Sequence, residues 1–208
     1  AFNDAHALEG QGAAIVDTIE LKAENGSEID SVLELLDDDI FPYFELNPSG
    51  DIRGALAALA GLDGGVKIRT GGVTPDLHPS PSDTAKFIDA CCTADVPFKA
   101  TAGLHHPLRH YAESVGAKQF GFLNVFLGAC LRNAGRIDCV QLQQLLEDED
   151  MSSFEFTDEH ASWKEKSITL DGIDTARSRI AHSFGSCSFT EPVNDLCTLG
   201  ILEPETTE

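Results

Sequence analysis

The sequence predicts an α/β fold, (β/α) TIM-barrel-like, as a partial barrel or the C-terminal part of one. Three observations predict it. Strand and helix patterns alternate from residue 13 to about 135, the rhythm of a parallel sheet covered by helices. Four short stretches place apolar side chains at alternate positions: Ile19 and Leu21; Phe44 and Leu46; Val66 and Ile68; Phe98, Ala100 and Ala102. Because successive strand side chains point to opposite faces, the other face carries Glu20, Lys22, Glu45, Lys67, Arg69, Lys99 and Thr101. Ions on an inner face need partners or a chemical role. A doubly wound sheet keeps its central strands apolar on both faces. A barrel turns one face of every strand inward, with functional groups at the carboxyl-end mouth.

The elements follow in order. A strand at 15–22 leads to a helix at 28–37, with Ile29, Val32, Leu33, Leu35 and Leu36 at helical spacing. A strand at 41–46 leads to a helix at 51–62, capped by Ser49 or Asp51, with Ile52, Leu56 and Leu59 as its stripe. A strand at 65–70 ends in Gly71-Gly72. The next helix starts with Ser80 as cap, Pro81 at its first position and Asp83 three after the cap. A strand at 97–102 precedes a His-rich loop and an apolar helix at 120–133. Residues 1–150 thus form a βα-repeat, barrel-like region. Residues 151–208 read as a mainly helical extension of the same domain, with a helix at 171–183 and a short last helix ending near Gly200. Residues 153–156 are the candidate fifth strand, and the tail 203–208 reads as frayed.

The chain has 208 residues, 42% of them hydrophobic, enough for one cored domain. Thirty-five acids against 14 bases give a net charge of -21. Such a surface excludes nucleic acid and anionic membrane as partners. No apolar run is long enough to span a bilayer. Against this background the strand charges carry a positive surplus, Lys22, Lys67, Arg69 and Lys99 against Glu20 and Glu45. A positive pocket in a negative shell selects a small anionic metabolite. The six cysteines form no C-x-x-C pair, and Cys91 and Cys130 fall on apolar helix faces. Reduced thiols and the absence of a secretory signal point to a cytoplasmic protein. A homo-oligomer is compatible with the sequence but not required by it.

The candidate catalytic residues are Lys67, Lys99, Glu45 and His105. Glu20, Lys22, Arg69, Thr101, Gly71, Gly72 and Arg109 are the candidate substrate-binding groups. Two lysines on neighbouring strands can depress each other's pKa, which a Schiff-base nucleophile requires. The plainer alternative is that Lys67, Arg69 and Lys99 simply pair with Glu20 and Glu45. His105 is a candidate acid or base. His106 and His110, four apart, would share a face if helical. Arg109 is a candidate anion clamp. Cys187 precedes a helix start, where a thiol is activated, but no base is assignable to it.

Lys67-Ile68-Arg69-Thr70-Gly71-Gly72 resembles the first lysine strand of the deoxyribose-phosphate aldolases, which are class I aldolases. Lys99-Ala100-Thr101-Ala102-Gly103-Leu104-His105 resembles the strand that follows it there. The resemblance implies a lyase in which Lys67 forms the imine, Lys99 tunes it and Glu45 moves protons. It departs at Arg69, where a small hydroxyl residue is expected, and at His105, where the family has Arg. No cofactor is implied. A metal-assisted enolisation or hydrolysis enzyme is the alternative, with a divalent ion held by Glu20, Glu45 and His105. A non-catalytic anion-binding protein is the third.

Overall fold

A computed structural model describes residues 15–203, together with Asn3. Residues 204–208, expected to fray, lie outside the described residues. Five strands form one parallel sheet: β1 (Thr18–Lys22), β2 (Phe41–Leu46), β3 (Gly65–Arg69), β4 (Phe98–Thr101) and the last strand, β10 (Ala181–Gly185). They stand side by side in chain order. The intervening helices are α1 (Gly26–Leu33), α2 (Arg53–Leu59), α3 (Pro81–Ala94), α4 (Phe122–Asn133), α5 (Cys139–Glu147) and α6 (Leu170–Arg179). Right-handed crossovers between strands added in one direction place every helix on the same side. Phe44, Val66, Ile68, Phe98 and Ala100 accordingly share one core with Ile29, Leu56, Phe87, Val125 and Leu142. The opposite face, with Glu20, Lys22, Lys67, Arg69 and Lys99, is the ionic one.

Local chemistry explains the element ends. Asn25 caps α1 by accepting the Glu28 N–H at 3.0 Å. Ser80 caps α3 through the Asp83 N–H at 3.0 Å, with Pro81 in the first turn as expected. Asp138 and Gln141 form a reciprocal capping box at the start of α5.

Two parts of the second half differ from expectation. Residues 151–203, the described part of the 151–208 region, are a mixture of strand and helix and not mainly helical. They hold an antiparallel sheet of β7 (Phe154–Phe156), β8 (His160–Trp163) and β9 (Lys166–Thr169), then α6, β10 and a last helix, α7 (Thr190–Thr198). The strand at 154–156 therefore pairs with its own neighbour and not with the parallel sheet. The fifth parallel strand is β10, in a segment expected to continue a helix; α6 stops at Arg179 and the chain turns directly into the sheet.

The β4–α4 connection carries a small hairpin, β5 (His110–Ala112) and β6 (Ala117–Gln119). His106 and His110 therefore do not sit on a helix. Phe122 and Leu123 at the start of α4 donate their N–H groups to the His106 and Pro107 carbonyls at 3.0 and 2.9 Å. Gly121 permits that approach, because a Cβ there would lie 2.1 Å from the Pro107 oxygen. Gly121→Ala is expected to destabilise the protein by about 1–3 kcal/mol, the usual cost of overpacking. Urea unfolding measures it, and an unchanged midpoint would contradict this packing.

Candidate functional site

The ionic face is built in tiers, because the parallel register aligns residues across the strands. In the lowest tier Glu20 pairs with Tyr43, and Tyr43 with Gly65. Gly65 lets the Tyr43 ring lie across β3, since a Cβ would stand 2.8 Å from the ring. The phenol then reaches His182 Nδ1 at 2.6 Å. His182 occupies the irregularity between Ala181 and Ser183, where the pairing of β10 with β4 slips. Its Nε2 faces the Ser178 carbonyl at 3.1 Å, so that nitrogen carries the proton and Nδ1 accepts from the phenol. Burial pushes the His182 pKa down. Burial and the Glu20 charge push Tyr43 up to about 12.

The middle tier aligns Lys22, Glu45, Lys67 and Lys99. Lys67 Nζ lies 2.6 Å from Glu45 and 2.8 Å from Glu20. Lys99 Nζ lies 2.6 Å from the second Glu20 oxygen and 5.3 Å from the centre of the Tyr43 ring. Two carboxylates and two ammonium groups thus form a linear chain of alternating charge, Lys99–Glu20–Lys67–Glu45. Partial burial pushes the Lys67 pKa down, but the two carboxylates more than offset it, and the net shift is upward. Burial likewise pushes Glu20 up, and the two lysines bring it below its usual value. In this state Lys67 is held protonated. The plainer expectation, that the lysines pair with Glu20 and Glu45, is what the geometry shows for Lys67 and Lys99.

The upper tier, at the carboxyl ends, has Arg69 beside Thr101 and Thr101 beside Gly185. Here β3 and β4 close on each other. A Cβ on Gly71 would lie 3.0 Å from the Gly103 Cα. Ala102 and Gly103 have φ of 67° and 76°, a left-handed conformation that costs an alanine energy and marks strain. Thr70 holds it: its buried hydroxyl donates to the Ala102 carbonyl at 2.6 Å and its N–H to the Thr101 carbonyl at 2.8 Å.

Arg69 divides two hollows. The smaller, about 340 Å³, is lined by Lys22, Glu45, Arg69 and Asp76, among others. The larger, about 870 Å³, is lined by Arg69, Gly72, Thr101, His105 and Cys187, among others. The expected site residues are therefore split. Lys67 and Lys99 line neither hollow; they lie one tier below the mouth. His105 opens into the larger hollow, away from the smaller. Arg109 belongs to neither: its guanidinium stacks on Phe120 at 4.8 Å and it lines a separate cleft with Glu149 and Asp195. His106 and His110 stack edge to face at 4.3 Å, and His106 Nδ1 lies 2.5 Å from Asp195. Among the described residues no three His, Cys, Asp or Glu side chains are arranged to hold a metal ion. Glu20 and Glu45 face ammonium groups. None of the described helices is long and apolar enough to cross a membrane.

Thr70, Tyr43 and His182 escaped the sequence reading. The Thr-Gly-Gly and Thr-Ala-Gly endings of β3 and β4 were the available signal for Thr70. Nothing local marks His182, whose position depends on a slipped register. No protein-family model matches the chain, no curated protein is detectably similar to it, and no solved structure matches it.

The ion chain makes a pH-dependent prediction. Glu20 titrates below its usual value, so its contribution is complete above the unfolded carboxylate pKa of about 4.3 and is lost as pH falls through the lower folded value. Lys67 titrates above its usual value, so its contribution is complete below about 10.4 and is lost as pH rises through the higher folded value. Lys67→Met should therefore cost about 1–3 kcal/mol near neutrality, with a plateau between those limits and a shrinking penalty outside them. Urea unfolding of both proteins across pH tests this. A penalty that stays constant from strong acid to strong base would rule the linkage out.

Proposed function

We propose that this chain is an enzyme acting on a small anionic substrate at the carboxyl-end mouth of a barrel-like (β/α) sheet. Strands in unbroken chain order, helices on one side and ions on the other support the barrel-like description. The observation that carries the functional reading is Arg69. It stands exposed at the rim between the two hollows. Among the described residues no carboxylate lies within 4.0 Å of it, although the protein carries a net charge of -21. The same holds for Lys22. A carboxylate or phosphate ester in the smaller hollow would meet both cations, with Glu45 as the proton acceptor in its wall.

Acid–base use of the Glu45–Lys67 pair is favoured over a Schiff base. Lys67 keeps its proton while Glu20 and Glu45 remain its partners, and a protonated amine is not a nucleophile. An aldolase-like role would require the substrate to displace a carboxylate or take a proton from Lys67. A metal-assisted reaction would require Glu20 and Glu45 to release their lysines.

Calorimetry with a panel of small carboxylates and phosphate esters tests the recognition step. Arg69→Gln should weaken the best binder roughly tenfold or more, the worth of a charge-assisted hydrogen bond. Equal affinity in wild type and Arg69→Gln would remove the proposal. Borohydride treatment with carbonyl-bearing members of the panel separates the chemistries: turnover without an adduct on Lys67 supports acid–base catalysis, and a reduced adduct on Lys67 supports the imine.

A further inference from the structure

The larger hollow holds chemistry that the ion chain does not use. Cys187 is exposed and its Sγ lies beside the His105 ring, 3.7 Å from Nε2 and 3.9 Å from Nδ1. His105 follows β4 and Cys187 follows β10, so the pairing of these two strands brings together side chains 82 residues apart. Nδ1 also lies 3.2 Å from Ser186 Oγ and 3.5 Å from the Glu191 carboxylate of α7.

Ser186 fixes the tautomer. A hydroxyl has one proton to give, and Ser186 donates it to the Ser188 carbonyl at 2.8 Å. Toward His105 it can then only accept. Nδ1 therefore carries the ring proton and Nε2 keeps the lone pair, which a rotation of the imidazole about its side-chain bonds would bring into line with the neighbouring sulfur. This is the arrangement of a nucleophile, a base and an orienting group. His105, Cys187 and Glu191 all line the same hollow, together with apolar Val73 and Val115.

We propose that Cys187 is a nucleophile activated by His105, forming a second reactive centre that takes a small acyl ester or thioester. The thiol proton passes to Nε2 as sulfur bonds to the acyl carbon. The protonated imidazole then gives that proton to the departing alcohol or thiol, whose bond to the acyl carbon breaks. Water attacks the resulting thioester, His105 takes its proton, the acid leaves and sulfur recovers the proton. No oxidant or further co-reactant is needed. Glu191 stabilises the imidazolium, and Ser186 is a positioning residue acting through His105.

Arg69 lines this hollow too, so neutral probes, which do not call on its charge, test the centre separately from anion recognition. Iodoacetamide alkylation is followed site by site by mass spectrometry, with Cys197 as internal reference. His105→Gln should slow alkylation of Cys187 at least tenfold, the low end of a general-base contribution, while leaving Cys197 unchanged. Ser186→Ala should slow it severalfold, and Ser186→Thr, which keeps the hydroxyl, should restore it; mere accessibility would give no such pattern. p-Nitrophenyl acetate should acetylate Cys187, and Cys187→Ser should abolish that adduct. The proposal is overturned if Cys187 alkylates at the wild-type rate in both His105→Gln and Ser186→Ala, or if no acetyl group reaches Cys187.

Discussion

The arrangement rests on one constraint: a parallel sheet whose described helices cover only one of its faces must make the other compatible with water. Here the solution is an alternating chain of charge, Lys99–Glu20–Lys67–Glu45, that satisfies itself. Each carboxylate meets at least one ammonium group, and Lys67 is mostly buried by its partners. Had any member been unpaired, desolvation would have penalised its charged form. Because the members of this chain satisfy one another low on the sheet, Arg69 one tier higher and Lys22 at the edge strand are left to face solvent. That separation gives the molecule a floor and a rim with different electrostatic character.

Much of this was legible in the sequence. Period-two alternation places all four early strands and assigns their faces correctly, because side-chain direction in a strand follows from position alone. The start of α3 at Ser80-Pro81 is equally readable, since capping is local chemistry. The convergence of Glu45, Lys67 and Lys99 follows from shared register, and Glu20 joins them from the tier below.

What escaped notice was non-local. The segment Ala181-His182-Ser183-Phe184-Gly185 follows a helix without a loop and has no β-branched residue, so nothing local declares it a strand. Missing β10 also hid the base for Cys187, because only docking of β10 beside β4 brings that thiol to His105. The peptide at 154–156 shows the converse. Its strand pattern is real, but local alternation says nothing about which partner it takes. The division of the site is a similar case: Lys67 and Arg69 share a face, yet two residues of strand rise put one below the mouth and the other at its rim.

The glycine contact at the ends of β3 and β4 has its own consequence for size selection. With Gly71 and Gly103 backbone against backbone, and Thr70 tying the turn down, that wall of the mouth has no side chain to rotate and no room to retreat. Accommodation of a bulkier guest must come from the opposite bank, the β5–β6 hairpin and α7. Selection for a new guest in this scaffold would thus act on residues 110–119 and 186–191, while the glycine seam stayed as the fixed jaw of the vice.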